Sequence, residues 1–234
     1  MLLEFDSVGF SYPKTPVLRG LSLRVAAGEI VGFLGINGSG KTTTFLLATG
    51  VLSPESGSIR LLGHEPRSSR GWCSRVGVVH SGVGHYNRLT VRRNLEFFAG
   101  LQGVKPDLEK HLTTYGLADV ASKTAGQLSQ GYRQRLALAR ATVHSPELLL
   151  LDEPSDGLDP SASDDLHQSV RDFAAKGGGV LLTSHRVEEV ESLCHRVVLL
   201  SDGAALMEGA PEALAQGVEG GLRQTLRSLR QKRA

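Results

Sequence analysis

The 234 residues carry 26 Lys and Arg against 24 Asp and Glu, a formal net charge of +2, with 40% hydrophobic and 21% charged residues. A balance this near neutral gives no electrostatic case for nucleic acid as the main partner, and the hydrophobic share suits one folded core with an attached lobe. No apolar run reaches the ~20 residues of a membrane-spanning helix, and the chain starts on strand-like Leu2-Leu3-Glu4-Phe5, so the expectation is neither a span nor an export signal.

In chain order, the first third reads as short strands at Leu3 to Val8, Leu21 to Val25, Ile30 to Leu34 and Gly57 to Leu62, punctuated by Pro13, Gly20, Gly28, Pro54 and Gly63. A further strand is read at Arg75 to Val79. From Leu89 to about Ala141 the apolar spacing turns helical, a helical insert in an α/β chain. Leu148 to Leu151, Val180 to Thr183 and Val197 to Leu200 are continuous apolar runs, as parallel strands covered on both faces require. A helix from about Ser163 to Ala175 joins the first two as a βαβ crossover, and Gly177-Gly178-Gly179 is the turn into the second strand. Cys73 and Cys194 are expected to be reduced packing residues of a cytosolic protein. Arg223, Arg227, Arg230, Lys232 and Arg233 are read as the solvated face of a last helix, ahead of a contact with anionic lipid or a partner.

The chemistry begins at Gly35-Ile36-Asn37-Gly38-Ser39-Gly40-Lys41-Thr42-Thr43. Its glycines let successive backbone N–H groups converge on a phosphate, Lys41 adds a positive charge, and Thr42 offers a hydroxyl to a phosphate-bound Mg²⁺. A buried strand precedes this P-loop and a helix follows it, whose N-terminus favours negative charge. Leu148 to Leu151 delivers Asp152 and Glu153 to the C-terminal edge of a buried strand, where open α/β sheets bind ligands. Asp152 is placed to hold the Mg²⁺ hydration shell, and Glu153 to orient and deprotonate a water attacking the γ-phosphate.

Leu128-Ser129-Gln130-Gly131-Tyr132, followed by Arg133-Gln134-Arg135-Leu136-Ala137-Leu138-Ala139-Arg140, is similar to the signature of the nucleotide-binding subunits of ATP-binding-cassette (ABC) transporters. The resemblance runs from about Leu2 to Pro211. Ser129 and Gly131 fall where a helix begins, so a hydroxyl, free N–H groups and a helix dipole all point at phosphate. The resemblance implies that two copies face head to tail, each signature closing on the ATP held by the other.

The same resemblance implies that Tyr12 stacks on adenine, that Asp159 in Ser155-Asp156-Gly157-Leu158-Asp159-Pro160 faces the opposite subunit, and that His185 reaches the γ-phosphate beside Glu153. The fold it implies is an α/β P-loop NTPase of the ABC ATPase type: a mostly parallel core sheet, an N-terminal antiparallel β-subdomain and a helical subdomain insert. Residues 1–216 would form that domain, with the helical subdomain at about 84–142 and a short basic extension at 217–234. One position departs from the family. A glutamine usually follows the strand read at Arg75 to Val79, whereas Ser81 stands there, preceded by His80. Serine is too short for the same reach, so Ser81 is expected to contact the metal site through a bridging water. His80 and His85 have no third ligand in the sequence pattern, which disfavours a separate metal site.

The segment from Gly84 to Phe98 resembles the exporter branch, whose members pair with separately encoded membrane subunits. Tyr86 is assigned to docking a cytoplasmic helix of such a permease, Phe97 and Phe98 to the core. The expectation is therefore an ATP- and Mg²⁺-using subunit, most simply a homodimer, peripheral on the cytoplasmic face of the membrane. The competing expectation is a soluble mechanical or regulatory ATPase with the same cassette. Such proteins usually carry two cassettes or a long coiled coil, and this chain has one signature and no long heptad array. A P-loop kinase or GTPase is opposed by the signature and Tyr12.

Overall fold

A computed structural model describes residues 1–80, 84–217 and 221–231. Two sheets share one core. β1 (Leu3–Tyr12), β2 (Thr15–Val25) and β4 (Ser56–Leu61) form an antiparallel sheet in the order β2-β1-β4. β3 (Ile30–Gly35), β5 (Val76–Val79), β6 (Leu148–Asp152), β7 (Gly179–Ser184), β8 (Arg196–Ser201) and β9 (Ala204–Gly209) form the second, ordered β5-β6-β7-β3-β8-β9. Its pairings are parallel except that of β8 with β9.

The strands β3, β6 and β7 are buried at every residue, which is why they read as unbroken apolar runs. Helices cover them. α1 (Lys41–Ala48) lies on the side facing the antiparallel sheet, where Phe5, Phe33, Phe45 and Leu61 fill one core cluster. α5 (Pro160–Ala175), α6 (Val187–Leu193) and α8 (Gly221–Gln231) cover the opposite side, where Leu166, Val190, Leu222 and Leu226 join Leu149 and Leu182. α7 (Pro211–Gly217) precedes α8.

The helical insert has its own small core. In α2 (Val91–Leu101), α3 (Leu108–Thr114) and α4 (Gln130–Thr142), Val91, Leu95, Leu112 and Leu136 pack together. Side-chain caps start each of these helices: Thr90, Asp107 and Ser129 accept from the N–H three residues on.

Three local readings change. The first two strands are longer than their apolar patterns suggested, because Tyr12 and Thr15 still pair across the Pro13-Lys14 turn. β9 was not expected, although Asp202-Gly203 signals a tight hairpin: φ is 48° and 81° at these residues, as a type I′ turn requires. Phe97 is not core. The inward stripe of α2 is Val91, Asn94, Leu95 and Ala99, and Phe97 falls outside it, 40% exposed and edge-on to Tyr86 at 4.9 Å. The basic C-terminal segment contains a packed helix: α8 buries Leu222 and Leu226, while Arg223 pairs with Glu188 at 3.0 Å and Glu191 at 3.4 Å.

Candidate active site

The order β6-β7-β3 brings three strand ends to one edge of the sheet, and each continues into a turn that carries chemistry. β3 runs into the P-loop, whose Gly38 and Gly40 have φ of 76° and 112°, conformations that residues with a side chain rarely adopt. A Cβ on Gly35 would meet Ser39 Oγ at 2.5 Å, so the loop closes only around glycine there. Lys41 is 5% exposed, and its ammonium donates to the carbonyls of Gly35 at 2.8 Å and Ile36 at 3.3 Å.

The cradle suits a phosphate. α1 begins at Lys41 with no acidic residue in its first turn, so no carboxylate of its own helix compensates its N-terminal dipole. Ser39 Oγ is buried without a hydrogen-bond partner among the described residues, an orphan donor at the loop. Beside them opens a hollow of about 390 Å³ bordered by Tyr12, Asn37, Gly38, Lys41, Thr42 and Glu153. Tyr12 is 42% exposed and supported edge-on by Phe10 at 5.1 Å, which leaves much of its ring available at the rim.

β6 and β7 supply the carboxylates and the histidine. Their register sets Asp152 opposite Thr183, and the Thr183 hydroxyl donates to Asp152 Oδ1 at 2.7 Å. The same hydroxyl accepts from the Glu153 N–H at 3.0 Å. Glu153 leaves the strand with φ of 48°, a left-handed turn that aims its side chain back across the strand ends. Its Oε1 lies 3.4 Å from Lys41 Nζ and its Oε2 3.2 Å from His185 Nδ1. Thus Lys41, Glu153 and His185, read from three separate motifs, meet at one carboxylate. Thr183 was missed as a site residue; a hydroxyl ending a buried strand beside a carboxylate-bearing strand end was its signal.

The chemistry of Asp152 and Thr42 suits Mg²⁺, since hard oxygen donors beside a phosphate cradle are what this ion takes. Ser81 lies outside the described residues. Tyr12, Gly35, Ile36, Asn37, Gly38, Ser39, Gly40, Lys41, Thr42 and Thr43 belong to the P-loop side of the molecule or its rim.

Ser129, Gly131 and Asp159 gather elsewhere. They border a second hollow, of about 360 Å³, that shares no lining residue with the first. Ser129 caps α4 by accepting from Tyr132 N at 3.5 Å, and Asp159 caps α5 by accepting from Ala162 N at 2.9 Å. A Cβ on Gly131 would stand 3.1 Å from that of Ala162, so the two helix starts abut and the glycine keeps them close. Two helix N-termini therefore open side by side, on a hollow separate from that of the cradle.

Residues 18–156, more than half of the chain, match the family described as ABC transporter. The chain is 41% identical over 218 residues to the Nod factor export ATP-binding protein I of Paraburkholderia xenovorans (strain LB400), covering 91% of this chain and 72% of that one. It is 38% identical over 217 residues, with the same coverage, to a fluoroquinolones export ATP-binding protein of Mycobacterium tuberculosis (strain ATCC 25618 / H37Rv). Among solved structures, an ATP binding subunit of an ABC transporter superposes with a TM-score of 0.86 at 26% identity, over 97% of this chain and 98% of that one. The cbiO1 protein of Clostridium perfringens, part of an ABC transporter complex, does so with a TM-score of 0.82 at 25% identity, over 99% and 96%. By the family match over more than half of its length, and by these relatives, the chain belongs to the ABC transporter family, as an ATP-binding subunit that hydrolyses ATP.

Proposed function

We propose that this ATPase drives export, that two copies bind two ATP molecules between them, and that their closure moves separate membrane subunits on the cytoplasmic face of the membrane. The observation that carries the reading is the separation of the two hollows: Lys41 and Ser129 offer phosphate-binding groups that border different hollows of one chain. A head-to-tail pair unites them, each cradle meeting the other chain's signature. The export assignment draws on the names of the curated relatives, both of them export ATP-binding proteins. Residues 1–216 would be the ATPase domain, with its helical part at about 84–142, and 217–234 a basic extension anchored through α8.

In this reading Lys41 and the P-loop N–H groups hold the β- and γ-phosphates, and Tyr12 carries the adenine. Glu153 Oε2, 3.2 Å from His185 Nδ1, accepts the proton of the attacking water, while His185 orients the γ-phosphate. Thr42 and Asp152 would hold Mg²⁺, which supplies neutralisation of the charge that develops on the phosphate oxygens. Serine at position 81 would complete that shell through a water. Ser129, Gly131 and Asp159 stabilise the γ-phosphate of the facing subunit. Closure is then a population shift driven by contacts that exist only in the pair.

The permease would dock where the helical insert meets the core. A groove of about 670 Å³ there is bordered by Trp72, Val78, His80, Phe98, Leu101 and Arg140. Tyr86, 51% exposed, stands on Phe97 and Phe98 near its rim.

The direct experiment is Glu153→Gln with ATP and Mg²⁺, followed by size-exclusion chromatography with light scattering. A nucleotide-loaded dimer without turnover is expected. A variant that binds ATP and stays monomeric at every protein concentration would count decisively against the composite site.

A further inference from the structure

We infer that Glu189 and His167, neither of which lines the phosphate cradle, are positioning residues that hold Glu153 and His185 at their working separation. The two lie on different helices, α6 and α5, and are 3% and 7% exposed. Glu189 Oε2 accepts from the Ser184 hydroxyl at 2.6 Å. Its Oε1 lies 3.2 Å from His167 Nε2, which is itself 3.1 Å from Ser155 Oγ. Ser184 immediately precedes His185, and Ser155 follows Glu153 by two residues. One buried carboxylate therefore ties together the two turns that carry the water-activating glutamate and the phosphate-orienting histidine.

Arg186 closes the ring from the other side. Its N–H donates to Ser184 Oγ at 2.9 Å, and its guanidinium to the Ser155 carbonyl at 3.4 Å. Burial alone would push the Glu189 carboxyl upward, yet hydrogen bonds from His167, Ser155 and Ser184 outweigh it and hold the group below the ordinary glutamate range.

A purely structural role for this cluster is the simpler account, and two observations weigh against it. Helices α5 and α6 already bury Leu166, Val170, Val190 and Leu193 in one apolar cluster, and a buried ionic group adds little to such packing compared with apolar side chains of like volume. Moreover, each partner of Glu189 ends at a residue flanking the site. Glu153 itself holds φ of 48°, a conformation that is costly for a non-glycine residue and persists only where neighbouring bonds over-determine it. The Ser155 anchor and the bonds from Glu153 N to Thr183 are such bonds. Relaxing them lets the carboxylate drift from His185, and misplacement of reacting groups by about 1 Å is enough to cost turnover heavily.

The test is steady-state ATP hydrolysis by the full chain carrying Glu189→Gln or Ser184→Ala, each alone and each combined with His185→Ala. Each single variant is expected to lose about tenfold in kcat with KM for ATP within about twofold, and to add far less than that to the loss in His185→Ala, because the Glu153–His185 separation it holds is already gone. Losses that multiply in the combined variants, unchanged kcat in the single ones, or a KM effect as large as the kcat effect would overturn the inference. Should circular dichroism find Glu189→Gln unfolded, Ser184→Ala decides by the same criteria. The inference rests on the proposed roles of Glu153 and His185, and normal turnover in His185→Ala would refute those roles instead. Side-chain ¹⁵N NMR of the His185 imidazole in Ser184→Ala reads the positioning without turnover: a moved resonance is expected, and an unmoved one rejects the inference.

Discussion

The ammonium of Lys41 stands 3.4 Å from Oε1 of Glu153, joining the end of β3 to the end of β6 across the cradle. Lysine is 5% exposed in its side chain and glutamate 21%, so the pair is partly shielded from water, and the lysine is also held by the carbonyls of Gly35 and Ile36. A phosphate entering the cradle meets a cation already aimed by its backbone partners. Lys41→Met should weaken ATP binding by at least tenfold, on the order of the 1.5–3 kcal/mol that a charge-assisted hydrogen bond contributes. Isothermal titration with ATP measures it, and an unchanged Kd would remove Lys41 from the site.

Thr183 is the least conspicuous member of the site. Its single hydroxyl serves Asp152 and the backbone of Glu153 together. Thr183→Val keeps the shape and removes both bonds, leaving a buried carboxylate oxygen short of a donor. A loss of about 1–3 kcal/mol in folding stability is expected from these two bonds, one of which goes to a charged group. Urea unfolding gives the stability, and a fall in kcat of at least fivefold is expected alongside it in ATPase assays.

The head-to-tail pair makes a prediction that a self-contained site does not. Gly131→Asp sets a carboxylate where Ala162 already approaches within 3.1 Å of a Cβ, at a helix start proposed to face phosphate. Alone, this variant and Lys41→Met should both be inactive. Mixed in equal amounts they form dimers with one complete site, so about a quarter of wild-type turnover is expected if the subunits exchange freely. A mixture as inactive as its components, under conditions where subunit exchange is seen by fluorescence transfer, would exclude a composite site.

Glu189 sets a pH dependence. Its folded-state pKa is lowered, so its contribution to stability is fully present above the unfolded pKa of glutamate and is lost as pH falls through the lower, folded value. Unfolding midpoints measured from neutral pH downward should therefore drop in the acid range, and Glu189→Gln should flatten that drop while lowering stability at neutral pH. His167, the titratable partner facing this carboxylate, must be replaced in parallel to separate the two contributions. A wild-type slope equal to that of Glu189→Gln would remove Glu189 as its source.

Helix α8 ties the C-terminal segment to the core. Leu226 is 4% exposed within the same apolar cluster as Leu166 and Val190. Leu226→Ala should cost about 2–5 kcal/mol, the range for emptying a buried leucine site. Calorimetry would reveal it as a lowered Tm, whereas a solvated tail would leave Tm unchanged.

Much of this protein was legible along the chain because its determinants are local. The cradle depends on glycine backbone freedom and on Lys41 within one turn of it. The buried strands announce themselves as apolar runs since both of their faces are covered, and Asp152 and Glu153 follow one such run directly. Ser129 and Asp159 are readable as helix caps from their own neighbours. What only the tertiary structure decided is pairing across distance. Lys41 and His185 reach the same carboxylate because β7 lies between β6 and β3, an order that no local pattern encodes. Thr183 gained its role from a register with Asp152, and Glu189 from helices that approach only after the sheet has formed. The same distinction separates the two hollows: each motif is written in adjacent residues, but that they do not meet within one chain is a property of the fold.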